Sequence, residues 1–133
     1  KHKPVSVMSF IEGTRFTQKK HNKQNPPFKH LLKPKAGGIA FVLDAMGENL
    51  TTIVDVTIYY PDGIPSFTDF LSGKVETVHL EIHTQKIDRE LTGDYVNNRA
   101  HKIAFQKWLT KFWHEKDLRL ENMRKESLQN LDK

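Results

Sequence analysis

The 133-residue chain contains no cysteine. That excludes disulfides, thiolate nucleophiles and cysteine-based zinc sites. Nor is there an apolar run approaching the ~20 residues that a bilayer-crossing helix requires. Glycine and proline are sparse, at 7 and 6 residues, and no internal repeat or second domain is visible. What is present is ordinary for one globular domain: 37% hydrophobic residues and 28% charged, enough for a real core. The balance is basic, with 21 Lys and Arg against 16 Asp and Glu, a formal charge of +5. Such a surface attracts nucleic acid, anionic lipid headgroups or polyanionic cofactors.

The stretch Phe10-Ile11-Glu12-Gly13-Thr14-Arg15-Phe16 organises the chain. It follows an apolar-rich run, Val5 to Ile11, that the pattern predicts to be a buried strand, and it precedes a long polar segment. A carboxylate, a glycine, a hydroxyl and a guanidinium thus sit where a strand leaves the core, the usual place for ligands in open α/β sheets. Glycine permits a tight turn or close ligand approach. Arginine grips phosphate through paired N–H donors. The plainer reading is a strand-end turn closed by a Glu12–Arg15 ion pair.

Beyond it, Thr17 to Lys33 reads as a long loop, from its prolines and polar residues. A helix is expected from Pro34 to Gly47, with Ile39, Ala40, Phe41, Leu43, Ala45 and Met46 as its apolar positions. Gly37 and Gly38 serve either close packing or ligand access to the helix N-terminus, a ready anion site beside Lys35. Thr52 to Tyr60 reads as a strand. Ile64 to Gly73 is an apolar-rich loop expected to cap the core. Lys74 to His83 is a third strand, with Leu80 and Ile82 on one face and Thr77, His79 and Glu81 on its wetter face. From Asn97 or Asn98 a long C-terminal helix is expected, with a stripe of Ile103, Ala104, Trp108, Leu109, Phe112 and Trp113 directed to the core. The fold class is α/β: a single-domain fragment with a mixed sheet, a helix after the long loop and a long C-terminal helix.

Phe10-x-Glu12-Gly13-Thr14-Arg15 resembles the third sequence block of the glycerolipid (lysophosphatidate, or 1-acylglycerol-3-phosphate) acyltransferases. Phe16-Thr17-x-x-Lys20-His21, Leu31-Leu32-x-Pro34-Lys35-x-x-Gly38, Asp55-Val56-Thr57, Gly73-Lys74 and the Trp108 to Asp117 segment follow in the order seen in the branch that includes lysocardiolipin acyltransferases. The resemblance runs from about Val5 to Met123. Ile11 departs from it, where many relatives have proline.

The resemblance implies transfer of a fatty acyl group from acyl-CoA or acyl-carrier protein to a lysophospholipid, at a membrane surface on its cytoplasmic face, without metal or cofactor. Arg15 should bind the acceptor phosphate. Glu12 would position that arginine or meet the acceptor hydroxyl, Gly13 and Thr14 would shape the turn, and Lys35 would add charge. The family's general base lies in a His-x4-Asp motif ahead of this block, and none stands ahead of Phe10 here. The chain, residues 1–133, therefore reads as the C-terminal part of such a domain, with no catalytic residue of its own and inactive alone. His83 and Asp88 have the same spacing but the wrong order, and read as a strand end and a turn. The alternatives are a basic nucleic-acid-binding module using Trp108, Phe112 and Trp113, or a non-catalytic regulatory domain in which Arg15 is dispensable.

Overall fold

The computed structural model describes residues 4–133. Its elements, in order, are α1 (Gln18–Gln24), α2 (Ala36–Met46), β1 (Thr52–Tyr59), α3 (Phe67–Leu71), β2 (His79–Lys86), a 3-10 turn (Arg89–Leu91) and α4 (Arg99–Leu131). The helix after the long loop and the long C-terminal helix are where the pattern puts them. Asn98 caps α4, its side chain accepting from His101 N, the expected satisfaction of an orphan donor. Lys35 occupies the N-cap of α2 and Gly47 its C-cap.

The sheet differs from expectation. Among the described residues it is not mixed: β1 and β2 form an antiparallel pair, in register Asp55↔His83, Val56↔Ile82, Thr57↔Glu81 and Ile58↔Leu80. Val5 to Ile11 joins no sheet, and Phe10 is 80% exposed. The second strand begins at His79, not Lys74. Two segments expected to be irregular contain helices. Thr17 caps α1, and Ser66 and Asp69 form a reciprocal capping box on α3. Nor does the α3 region cap the core, for Phe67, Phe70 and Leu71 are exposed.

The core lies between α2, α4 and the segment before α2. It gathers Phe28, Leu31, Ala40, Leu43, Leu91, Phe105, Leu109, Phe112 and Trp113. Phe105, absent from the predicted stripe, is its most buried aromatic, whereas Ile103 is exposed. With Phe112 and Trp113 buried, they are not free to stack on bases, which removes the main support for a nucleic-acid module.

The sheet turns the face that carries Ile53, Asp55, Thr57 and Tyr59 toward α4. Asp55 accepts from Lys116 Nζ at 2.5 Å and from Arg119 Nη2. Lys116 also donates to Val56 O at 2.8 Å and to Thr57 Oγ1 at 3.4 Å. Thr57 is fully buried. A buried ammonium needs this many partners to repay its desolvation. Val54, Val56, Ile58, Leu80 and Ile82 consequently line the opposite, exposed face. Alternation correctly predicts which residues share a face, but the Leu80 and Ile82 face, not that of Glu81, is the wetter one. The cations of α4 decide which face is covered.

Candidate functional site

Glu12 and Gly13 lie in a turn rather than at a strand end, and Thr14 and Arg15 follow directly after it. Gly13 N donates to Phe10 O at 2.9 Å, closing the turn. Gly13 has φ +68, a left-handed conformation that L side chains adopt only at a cost. Glycine is required here by the backbone itself.

Three partners hold the turn in place. Lys35 N donates to Ile11 O at 2.8 Å, which docks the start of α2 beside it. Lys20 Nζ donates to Thr14 Oγ1 at 2.6 Å and to Arg15 O at 3.1 Å. Glu12 accepts from Leu32 N at 3.1 Å. The Glu12–Arg15 ion pair is not formed, and among the described residues Arg15 makes no salt bridge and is exposed. Glu12 instead braces the Leu31-Leu32-x-Pro34-Lys35 segment. Burial pushes its carboxyl above the usual glutamate range; the Leu32 N–H and the charge of Lys116 oppose that shift without cancelling it.

Leu32, completely buried, is held from both sides. Its amide goes to Glu12, and its carbonyl accepts from Trp113 Nε1 at 2.9 Å. Trp113 in turn lies 5.9 Å beneath Lys116 Nζ, within cation–π range. A second tie runs from Asp117, which accepts from Lys29 N at 2.8 Å and His30 N at 2.7 Å. Glu121 accepts from Lys29 Nζ, from His30 Nε2 and from Arg124. Those bonds, Arg124's foremost, hold its carboxyl well below the usual range. The Glu12 block, the Leu31–Lys35 segment and the Trp108 to Asp117 segment are thus one physical assembly around Leu32.

The resulting surface is cationic. The Lys35 side chain lies over Gly13, its Nζ 3.1 Å from where a Cβ would stand. Lys20 reaches Thr14 and the Arg15 carbonyl from α1, and Arg15 is exposed. No side chain caps α2, and a Cβ at Gly37 or Gly38 would meet nothing within 4 Å. Those glycines are therefore not there for close packing within this chain. Elsewhere, His83 pairs with Glu81, and Asp88 accepts from Glu90 N. Each member of that His-x4-Asp spacing has its own local partner. Among the described residues no group of three or more His, Cys, Asp and Glu residues could hold a metal ion.

Lys20 belongs to the Phe16-Thr17-x-x-Lys20-His21 motif, but the sequence alone assigns it no role. It lies in the predicted loop, and only the fold of α1 brings it back onto Thr14 and Arg15. The run Thr17 to Lys23 does carry a signal for that helix: a capping threonine, then His21 and Lys23 in its last turn.

Surface cations at a tight turn beside an uncapped helix start are groups able to hold an anion. Similarity to known proteins is more particular. The chain is 28% identical to lysocardiolipin acyltransferase 1 of Gallus gallus over 129 residues, which cover 90% of this chain and 32% of that protein. It is 30% identical to 1-acyl-sn-glycerol-3-phosphate acyltransferase delta of Bos taurus over 115 residues, 80% of this chain and 28% of that protein. With 2-acyl-1-lysophosphatidylinositol acyltransferase of Saccharomyces cerevisiae it shares 26% identity over 140 residues, 90% of this chain and 33% of that protein. The chain is a relative of the glycerolipid acyltransferases that its ordered motifs resemble. It spans about a third of the length of these curated relatives. No family model and no solved structure matches it.

Proposed function

We propose that this chain is the acceptor-binding part of an acyltransferase. The reaction moves a fatty acyl group from acyl-CoA, or acyl-carrier protein, to a lysophospholipid such as 1-acylglycerol-3-phosphate. One observation carries the reading. Lys20 and Lys35 both lie against the Gly13–Arg15 segment, and Arg15, exposed, makes no ion pair among the described residues. A phosphate brought to Arg15 meets concentrated positive charge without displacing an internal carboxylate. The names of the relatives, which act on lysophospholipids and acylglycerol phosphates, agree with that ligand class.

In this reading the phosphate of the acceptor is anchored at Arg15, with Lys35 beside it and the uncapped start of α2 adding its dipole. The acceptor hydroxyl attacks the carbonyl carbon of the acyl thioester, and the thiolate leaves. A general base takes the hydroxyl proton, which contributes typically 10²–10⁴-fold. That base belongs to the His-x4-Asp block of the parent enzyme, and the residues described above supply positioning. Glu12 acts on the acceptor indirectly, by fixing the Leu32–Lys35 segment. Both substrates are amphipathic, so the parent enzyme works at a membrane surface; we assign it to the cytoplasmic face. Among the described residues no helix is long and apolar enough to cross a membrane.

The test is Arg15→Ala in the full-length enzyme, assayed against varied acceptor concentration. The expected result is an acceptor KM raised at least tenfold, or loss of turnover, for one lost charge-assisted contact of about 1.5–3 kcal/mol. Wild-type kinetics would sink the assignment and favour a regulatory domain.

A further inference from the structure

We infer that Lys20 is a positioning residue of the anion site, acting through the Thr14 hydroxyl and the Arg15 carbonyl while adding its own charge. The inference rests on the acceptor-phosphate reading and extends it to a residue outside the Glu-Gly-Thr-Arg block. Two of the three ammonium donors of Lys20 are committed, one to Thr14 Oγ1 at 2.6 Å and one to Arg15 O at 3.1 Å. The third is left for a ligand. Lys20 therefore touches the carbonyl of the very residue whose guanidinium would hold the phosphate.

The lysine is itself well supported. Thr17 Oγ1 accepts from Lys20 N at 3.3 Å, fixing the first turn of α1. The next residue, His21, donates from Nε2 to Phe28 O at 2.7 Å, and its ring lies 5.6 Å from that of Phe16. Phe28 is buried in the core. A path of defined contacts thus runs from the core through α1 to Lys20 and on to the Arg15 carbonyl. On the other side of the turn, Gly13 has no side chain to oppose Lys35, whose ammonium lies over it. The turn is gripped by one lysine from α1 and another from the start of α2. A flexible arginine on an unsupported turn would lose conformational entropy on binding an anion. Pinning its backbone removes part of that cost in advance.

Inorganic phosphate is the probe. It is titrated into the isotopically labelled chain while the amide resonances of Gly13, Thr14 and Arg15 are followed. The unsubstituted chain, Lys20→Ala, Lys20→Arg and Arg15→Ala are compared at constant ionic strength, with the thermal midpoint of each recorded. Saturable shifts are expected in the unsubstituted chain, with affinity falling about tenfold in Lys20→Ala. Lys20→Arg should recover part of that loss, and the thermal midpoint should fall only slightly in Lys20→Ala, because the two hydrogen bonds lost lie in an exposed setting outside the core. If the unsubstituted chain and Lys20→Ala bind phosphate equally at this turn, the inference is overturned and the acceptor reading stands. If the unsubstituted chain shows no saturable shift there, the acceptor reading falls and the inference falls with it.

Discussion

Lys116 donates to the carboxylate of Asp55 from 61 positions further along the chain, and both side chains are close to nine-tenths buried. Arg119 reaches the other oxygen of the same carboxylate. The pair fastens β1 to α4 and determines which face of the sheet the helix covers.

Asp55→Asn should therefore be severe. It leaves two cations facing a neutral amide in a largely dry setting, and breaking such pairs costs about 3–5 kcal/mol. Urea denaturation should show the unfolding free energy fall by that amount, seen as a lower midpoint at unchanged slope. A loss below about 1 kcal/mol would mean that solvent already screens the pair.

Glu12 gives a pH signature of unusual sign for a carboxylate. Burial raises its pKa in the folded chain above the ordinary 4.5. Just above that value the folded chain keeps a proton that the unfolded chain has released. Its contribution to stability must then decline as pH rises through that interval, and level off above it. The depressed Glu121 has the opposite effect, losing stability as pH falls below the ordinary 4.5. Comparing the unsubstituted chain with Glu12→Gln isolates the first effect, since Glu121 is common to both. The difference in unfolding free energy, followed from pH 4 to about pH 7, should slope downward for the unsubstituted chain. A flat or rising difference would contradict the burial of Glu12.

Gly37 and Gly38 stand at the start of α2 with open space where a Cβ would go. Changing either to alanine should stabilise the chain by about 0.5–1 kcal/mol, through the lower entropy of the unfolded chain and better helix propensity. A rise in thermal midpoint for each variant is the expected outcome. A fall would show that the helix start is more crowded than it is drawn here.

The sequence made some of this legible and hid the rest for physical reasons. α4 was readable because Asn98 caps it and because Leu109, Phe112 and Trp113 recur at helical spacing. α2 was readable from its apolar positions and the Gly47 stop, yet Phe41 proved exposed. The run Val5 to Ile11 has strand-like composition, but a strand exists only through a partner, and among the described residues it pairs with none. α1 escaped notice because it buries no residue and so leaves no apolar periodicity. At the site, the cluster of charged residue types was visible, but its wiring was not. Glu12 looked like the natural mate of Arg15, three positions away, and it bonds instead to an amide 20 positions on. Partner choice of that kind is set by tertiary docking, which local spacing does not encode.

The double hold on Leu32 has one further consequence. Its peptide groups are shared among the arginine turn, the segment leading into α2 and the middle of α4. Releasing the turn strips a buried amide of its acceptor, and releasing α4 strips a buried carbonyl of its donor. The three segments should therefore open together, as one cooperative unit in hydrogen exchange. Protease resistance and phosphate affinity would then rise and fall in parallel across any set of substitutions around Leu32, so that a variant selected for ruggedness alone would tend to carry a better-formed site.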